Sequence, residues 1–137
     1  MKKITLLLLF VSTLVSCSLD NGNRDSFHYE ILPVDSHILP EKFTLGSTYE
    51  IKLKYKRPSE CHYFQGIYYN KNLNIRTIGI QTSVVDRQDC TPLAMAPLEV
   101  SFNFYVTNTG SYIFKFYKGK DTVGKDLFEE VEIPVVN

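Results

Sequence analysis

Histidine, serine and carboxylate side chains are the groups of this chain that could serve as a nucleophile, an acid or a base. The sequence contains three histidines, His28, His37 and His62. Acid–base catalysis needs such a group beside a nucleophile or a second titratable group. The chain has no G-x-S-x-G elbow, no dinucleotide-binding glycine pattern and no phosphate-binding loop. The sequence therefore predicts a protein that is not an enzyme.

The segment VVDRQDC contains the carboxylate pair that comes nearest to a metal site, Asp86 and Asp89. A calcium loop of the EF-hand type would also need a central glycine and a terminal glutamate, and both are missing. Arg87 lies between the two aspartates, which favours a solvated loop. We predict that the protein has no metal site and no cofactor.

The start of the chain has the layout of a secretory signal peptide. Two lysines precede an apolar run over 4–15, which is shorter than the roughly 20 residues of a spanning helix. The letters LVSC at 14–17 resemble the lipobox of bacterial lipoproteins, in which the cysteine is acylated and the chain is cut before it. The resemblance implies a signal peptide over 1–16 and a lipid anchor on Cys17. The alternative is an ordinary cleaved signal and a soluble secreted protein.

The lipoprotein resemblance also implies a location. Lipoproteins of this class carry two or three acyl chains, and each buried methylene contributes about 0.8 kcal/mol, so the anchor would be effectively permanent. Ser18, rather than an aspartate, follows Cys17. In enteric bacteria, lipoproteins that lack an aspartate at this position usually go on to the outer membrane. We therefore expect a protein of the cell envelope, anchored to the outer membrane. Residues 17–26 are predicted to be a flexible tether, because they are polar and rich in turn formers.

The lipobox leaves two further cysteines, Cys61 and Cys90. An unpaired thiol is a liability in an exported protein, and an oxidising compartment favours disulfides. With Cys17 assigned to lipid, Cys61 and Cys90 are predicted to pair. The alternative is a thiolate metal site with His62, although two thiols and one adjacent imidazole lack the usual ligand spacing.

The length and charge of the mature chain indicate the number of its domains and the kinds of partner it can bind. Removal of 1–16 leaves about 120 of the 137 residues, a length typical of one domain. The signal contains two of the 15 basic residues and none of the 15 acidic ones, so the mature chain is slightly acidic. A nucleic-acid partner is not expected, because such proteins carry a basic patch or stripe.

Alternation of apolar and polar residues predicts strands from Phe27 to the C-terminus. The seven predicted strands are FHYEILPV (27–34), TYEIKLKYK (48–56), HYFQGIYYN (62–70), RTIGIQTSVV (76–85), PLEVSFNFYV (97–106), SYIFKFYK (111–118) and LFEEVEIPV (127–135). Pro33 and Pro40 bracket a segment that we predict to be an edge strand broken in two. No segment has a convincing helical period. The pattern therefore predicts an all-β, antiparallel β-sandwich over 27–137.

One motif refines the fold class. Asn108, Gly110 and Tyr112 form N-x-G-x-Y, which resembles the tyrosine corner of immunoglobulin-like domains, D-x-G-x-Y-x-C. Phe114 stands where antibody-type domains have their second core cysteine. The resemblance implies an immunoglobulin-like sandwich of about seven strands, in which the Tyr112 hydroxyl bonds to the backbone. It also implies that the third and sixth strands are neighbours in one sheet.

The layout as a whole is similar to the small uncharacterised lipoproteins that are abundant in Bacteroidota. The features shared are the lipobox, the short polar tether, the segment FTLGSTYEIKLKYKRPSEC and a terminal hairpin. This resemblance implies no particular activity.

Surplus aromatic residues indicate a surface that binds a partner. Strict alternation along HYFQGIYYN would place Tyr63 and Tyr69 on one face and Phe64 and Tyr68 on the other. If the third and sixth strands were neighbours, Phe64 or Tyr68 would form an exposed patch with Tyr117. The predicted surface residues are Phe64, Tyr68, Tyr105 and Tyr117. The alternative is that loops or the last strand cover these rings.

Two functions are consistent with these features. The first is a membrane-anchored, non-catalytic binding or structural module with a protein or glycan partner. The second is an inhibitor of a hydrolase such as lysozyme, because small disulfide-bonded, β-rich lipoproteins include such inhibitors. An inhibitor would present a loop to an enzyme cleft, and NKNLN (70–74) and KGKDTVGK (118–125) are the candidate loops.

Overall fold

The computed structural model describes residues 25–137, so the predicted signal, Cys17 and most of the tether lie outside the described part. Within it, the chain forms nine strands and no helix, and hence no helix that could cross a membrane. The strands are β1 (Phe27–Leu32), β2 (Ser36–Ile38), β3 (Phe43–Thr44), β4 (Thr48–Tyr55), β5 (His62–Asn72), β6 (Ile75–Val85), β7 (Leu98–Tyr105), β8 (Ser111–Lys120) and β9 (Asp126–Val136).

The strands form two sheets, which confirms the all-β sandwich. The larger sheet has the order β1-β6-β8-β9-β3, with β5 paired to β6, and the smaller sheet has the order β2-β4-β7. The prediction of seven strands missed β3, and it did not count β2 separately from the broken edge strand. Most pairings are antiparallel, but β6–β8 and β3–β9 are parallel.

Strand β6 is the centre of the larger sheet. Strand β5 pairs with nearly all of β6, so β1 and β8 share its other edge, β8 along Ile75–Ile78 and β1 along Ile80–Val85. The expectation that the third and sixth predicted strands, β5 and β8, are neighbours is therefore wrong. The turn between β5 and β6 is tight, and Leu73 in this turn has a φ of 53°. Strand β6 therefore pairs directly with β5, and β8 pairs with the other edge of β6.

The core lies between the two sheets, where the alternation predicted it. Ile51, Leu53 and Tyr55 of β4 are buried against residues of β6 and β8. The buried residues of those two strands include Ile78, Ile80, Tyr112, Phe114 and Phe116. Burial of one such side chain contributes roughly 1.5 to 3 kcal/mol, so this layer supplies most of the driving force that holds the sheets together.

The proline-bracketed segment connects the two sheets. Strand β1 belongs to the larger sheet and β2 to the smaller one, with Pro33 at the crossing. The Val34 amide donates to the Tyr117 carbonyl at 2.8 Å, and the Asp35 amide donates to the Lys54 carbonyl at 2.8 Å. The prediction of a broken edge strand is confirmed.

Two local predictions are also confirmed. The buried Tyr112 hydroxyl accepts hydrogen bonds from the amides of Thr107, at 3.1 Å, and Asn108, at 3.0 Å. Cys61 and Cys90 form a disulfide with their Cα atoms 5.6 Å apart, which ties the start of β5 to the loop after β6. The bonded sulfurs exclude the alternative thiolate metal site.

Candidate functional site

On the outer face of the larger sheet, the central strand β6 carries small side chains. Ile78 and Ile80 of β6 point into the core, so Thr77 and Gly79 point outward. Tyr68 of β5 lies directly opposite Gly79. Small residues thus run down the middle of this face, and larger side chains stand on the strands beside them.

These larger side chains enclose a cavity of about 630 Å³, which we name the tyrosine groove. Its aromatic walls are Tyr29 of β1, Tyr68 of β5, Tyr117 of β8 and Phe128 of β9. Its other lining residues are Glu30, Ile31, Pro33, Thr77, Gly119, Lys120 and Asp126. Ligand pockets in proteins have volumes of about 300 to 1,000 Å³ and a mostly apolar lining with a few polar groups, and the groove matches both properties.

The rings remain accessible to a ligand. The Tyr68 side chain keeps 38 % of its surface exposed, and Phe128 is exposed to the same extent. The rings of Tyr117 and Phe128 lie 5.9 Å apart, and the Lys115 ammonium lies 5.0 Å from the centre of the Phe128 ring. The last strand, β9, therefore packs Phe128 against Tyr117 and leaves Tyr117 partly exposed.

Charges of both signs border the groove. Lys120 donates to the Asp126 carboxylate, and this hydrogen bond, together with the charge of Asp126, raises the pKa of Lys120. Because the ammonium is matched by a carboxylate, the border offers hydrogen-bonding groups without a strong field of one sign.

The structure brings Tyr68 and Tyr117 of the predicted patch together in the tyrosine groove but places Phe64 elsewhere. The register of β5 against β6 shifts between Phe64 and Gly66, so Gln65 is an extra residue in β5. A bulge reverses the alternation beyond it. As a result Phe64 faces the smaller sheet, where it stacks on Tyr55 at 5.9 Å.

Tyr105 also lies away from the tyrosine groove. It lines a second cavity of about 450 Å³, between the edges of β5 and β7. Tyr69 lines the same cavity, with its ring 5.8 Å from that of Phe102. The four predicted surface residues are thus divided: two line the tyrosine groove, one faces the smaller sheet and one lies at this second cavity.

Two lining residues of the groove, Tyr29 and Phe128, and the neighbouring Gly79 were not predicted from the sequence. Tyr29 and Phe128 stand on outer strands, and their convergence depends on the strand order. In β6, Gly79 interrupts the alternation of apolar and polar residues. A glycine inside a strand often marks a place where another part of the chain packs closely on the backbone.

The three histidines each contact a carboxylate. His28 lies 2.7 Å from Asp86, and His37 lies 3.2 Å from Glu129. Hydrogen bonds from Lys118 and then from His37 lower the pKa of Glu129. These pairs connect separate parts of the sandwich.

His62 forms an arrangement that resembles a catalytic triad. One ring nitrogen lies 2.8 Å from the Ser59 hydroxyl, and the other lies 3.1 Å from the Glu30 carboxylate. A catalytic triad has the same order of groups: a nucleophile, a base and a carboxylate that orients the base. The Ser59 hydroxyl, however, also accepts the Cys61 amide at 3.3 Å, and neither Ser59 nor His62 lines the two cavities. The arrangement fastens the turn before β5 to β1.

Comparisons with known proteins assign no family to this geometry. No protein-family model, no curated protein and no solved structure matches the chain.

Proposed function

We propose that the protein is a non-catalytic, lipid-anchored module of the bacterial cell envelope, and that it binds a glycan in the tyrosine groove. The observation that carries the binding proposal is the convergence of four aromatic rings, from four different strands, on one concave site. The anchor rests on the letters LVSC at 14–17, which lie outside the described residues.

The shape and chemistry of the groove favour a glycan over a folded protein partner. A sugar ring has apolar faces that pack on aromatic rings and hydroxyls that need polar partners at its edges. Tyr68, Tyr117 and Phe128 supply rings, whereas Lys120 and Asp126 supply a hydrogen-bond donor and a carboxylate acceptor. Aromatic rings with convergent polar groups are typical of small-ligand sites, and protein interfaces are flatter and larger.

The charges favour an uncharged oligosaccharide. Lys120 is held by Asp126 and is not free to neutralise an anionic sugar. The pair of Lys120 and Asp126 has no net charge, so it gives an anionic sugar no net attraction. The groove therefore fits a neutral segment of a cell-wall or surface polysaccharide.

A binding experiment with matched variants tests the glycan proposal. The full-length chain is applied to an array of neutral and acidic bacterial oligosaccharides, and the hits are titrated by calorimetry. Tyr68→Ser and Tyr117→Ser should each weaken binding by roughly tenfold, because each removes ring contact area. Tyr63→Ser is the control, because Tyr63 lies on the outer face of β5 but does not line the groove.

Two results would contradict the glycan proposal. One is a set of variants that lose thermal stability but bind every glycan as the parent chain does. The other is an array without hits, combined with capture of one envelope protein that the two tyrosine variants fail to bind. The second result would retain the groove but replace the glycan by a protein partner.

The anchor has a separate test. Intact-mass spectrometry of the membrane fraction from the native host should find a chain that begins at Cys17 and carries acyl groups. An unacylated chain in the soluble fraction would show that the segment is an ordinary cleaved signal.

One observation favours the alternative of a hydrolase inhibitor. The loop between β8 and β9 is held rigid, because the Asp121 carboxylate accepts the amides of Val123 and Lys125, both at 2.9 Å. Val123 at its tip is 84 % exposed. A preorganised loop costs little to order on binding. Inhibition of lysozyme that Val123→Asp abolishes and Tyr68→Ser spares would favour this alternative over the glycan proposal.

A further inference from the structure

Arg76 is a buried cation at the start of β6. Its side chain is only 2 % exposed. One terminal nitrogen, Nη1, donates to the carbonyls of Leu73, at 2.7 Å, and Ile75, at 2.8 Å. The Nε atom is buried and has no hydrogen-bond partner among the described residues.

The charge of Arg76 also lacks a counter-ion. None of the ion pairs within residues 25–137 includes Arg76. The guanidinium carbon instead lies 4.9 Å from the centre of the Tyr112 ring and 5.9 Å from that of Phe104. Aromatic faces attract a cation but do not satisfy its N–H donors, so an unpaired buried donor still carries a desolvation penalty.

Arg76 lines the second cavity, which we name the edge cleft. The cleft has a volume of about 450 Å³ and opens between β5 and β7. Its lining residues are Ile67, Tyr69, Lys71, Arg76, Phe102, Asn103, Phe104, Tyr105 and Thr107. The lining includes two cations, Arg76 and Lys71, and no carboxylate.

We propose that the edge cleft binds a small organic carboxylate with an apolar body. The carboxylate pairs with Arg76, and the apolar body packs on the partly exposed rings of Tyr69 and Tyr105. The site is independent of the tyrosine groove, because the two cavities share no lining residue.

The pattern of hydrogen bonds on Arg76 identifies the ligand class. Because Nη1 is occupied by two carbonyls and Nε is buried, Nη2 is the nitrogen of Arg76 that is left to pair with a ligand in the cleft. Its N–H donors on a charged, planar guanidinium favour the oxygens of a carboxylate. Lys71 adds a second positive charge at the cleft. The aromatic lining selects an acid with a hydrocarbon or aromatic body over a small hydrophilic anion.

An NMR titration of the full-length chain tests this proposal. The probes are acetate, octanoate and phenylacetate, with neutral phenylacetamide and inorganic phosphate as comparison ligands. Phenylacetate or octanoate should shift the Arg76 Nε–H resonance and bind more tightly than acetate. Phenylacetamide should bind at least roughly tenfold more weakly than phenylacetate, because it has the same ring but no charge.

Two variants localise the site. Lys71→Gln should weaken phenylacetate binding by about fivefold and leave the thermal midpoint unchanged, since it alters a partly solvated charge. Arg76→Lys should weaken it by roughly tenfold or more, because an ammonium lacks the planar edge. If Arg76→Lys does not fold, Lys71→Gln and the amide comparison still decide the matter.

Three results would overturn the proposal. The first is that phenylacetamide binds as well as phenylacetate. The second is that no carboxylate of the series shifts the Arg76 Nε–H resonance. The third is that phosphate alone shifts it, which would make the cleft a site for an inorganic anion.

Discussion

Tyr68 lies directly opposite Gly79 across the pairing of β5 and β6, so a large ring stands beside a position that has no side chain. Ile31 of β1 uses the same space from the other side: a Cβ atom at position 79 would lie 2.5 Å from its Cγ2 methyl. The glycine therefore allows the Ile31 side chain, which lines the tyrosine groove, to pack closely on β6.

Replacement of this glycine should destabilise the sandwich through a single contact. Gly79→Ala would overpack the site against Ile31, a β-branched side chain with little freedom to move, at a cost of about 1 to 3 kcal/mol in unfolding free energy. Urea denaturation of Gly79→Ala, Ile31→Ala and the double variant measures the coupling. In the Ile31→Ala background the substitution should cost little. An equal cost in both backgrounds would show that the close approach of Ile31 is not the cause.

The period-two pattern was sufficient to predict the longer strands and, in β4, β7 and β8, their inward faces. The apolar residues of the alternation in these three strands, such as Ile51, Phe104 and Phe114, pack between the sheets. The alternation of apolar and polar residues shows which face of a strand packs on the core, so this feature can be predicted from neighbouring residues alone.

The arrangement of the strands could not be predicted in the same way. Nothing in the sequence of β5 identifies Gln65 as an extra residue, yet it places Phe64 and Tyr68 on opposite faces of the sheet. The position of β6 between β5 and β8 depends on long-range pairing. Alternation places Arg76 on the same face of β6 as Ile78 and Ile80, but a charged side chain gives no sign of burial in the sequence, and its burial follows from packing against Tyr112. The groove and the cleft both depend on such non-local contacts.

Removal of the disulfide should destabilise the domain strongly. The bridge joins residues separated by 29 positions, and the chain-entropy model gives about 3 to 4 kcal/mol for a loop of that length. A Cys61→Ala and Cys90→Ala double variant avoids burying a new hydroxyl at position 61. Its denaturation midpoint should match that of the parent chain under reducing conditions. A variant as stable as the oxidised parent chain would show that the bridge constrains little.

The tyrosine corner should contribute through its hydroxyl alone. Tyr112→Phe keeps the ring but leaves the amides of Thr107 and Asn108 without their acceptor, which should cost about 1 to 3 kcal/mol. Tyr49→Phe is the matched control, because the Tyr49 hydroxyl accepts the Thr44 amide at 2.9 Å in an exposed place where water can replace it. Chemical denaturation should therefore find a smaller loss for Tyr49→Phe. Equal losses would mean that burial of the corner is unimportant.

The contact of Glu129 with Lys118 and His37 should make stability depend on pH in the acidic range. Lys118 lies 3.1 Å and His37 3.2 Å from the carboxylate, and their hydrogen bonds lower the pKa of Glu129 below its ordinary 4.5. Above pH 4.5 the carboxylate is ionised in the folded and the unfolded chain, and its contribution to stability is complete. As the pH falls below 4.5, the unfolded chain binds the proton first, so this contribution is progressively lost.

Comparison of the parent chain with Glu129→Gln isolates this contribution. The glutamine keeps the shape and an acceptor but removes the charge. Since the Glu129 side chain is 45 % exposed, the difference in unfolding free energy near pH 6.5 should be less than about 1 kcal/mol and should shrink below pH 4.5. Glu99→Gln is the control, because Glu99 is similarly exposed but lies 3.7 Å from its partner Lys52. A difference for Glu129→Gln that stays constant from pH 7 to roughly pH 3 would contradict the lowered pKa, since a proton-linked contribution must vanish where both states are protonated.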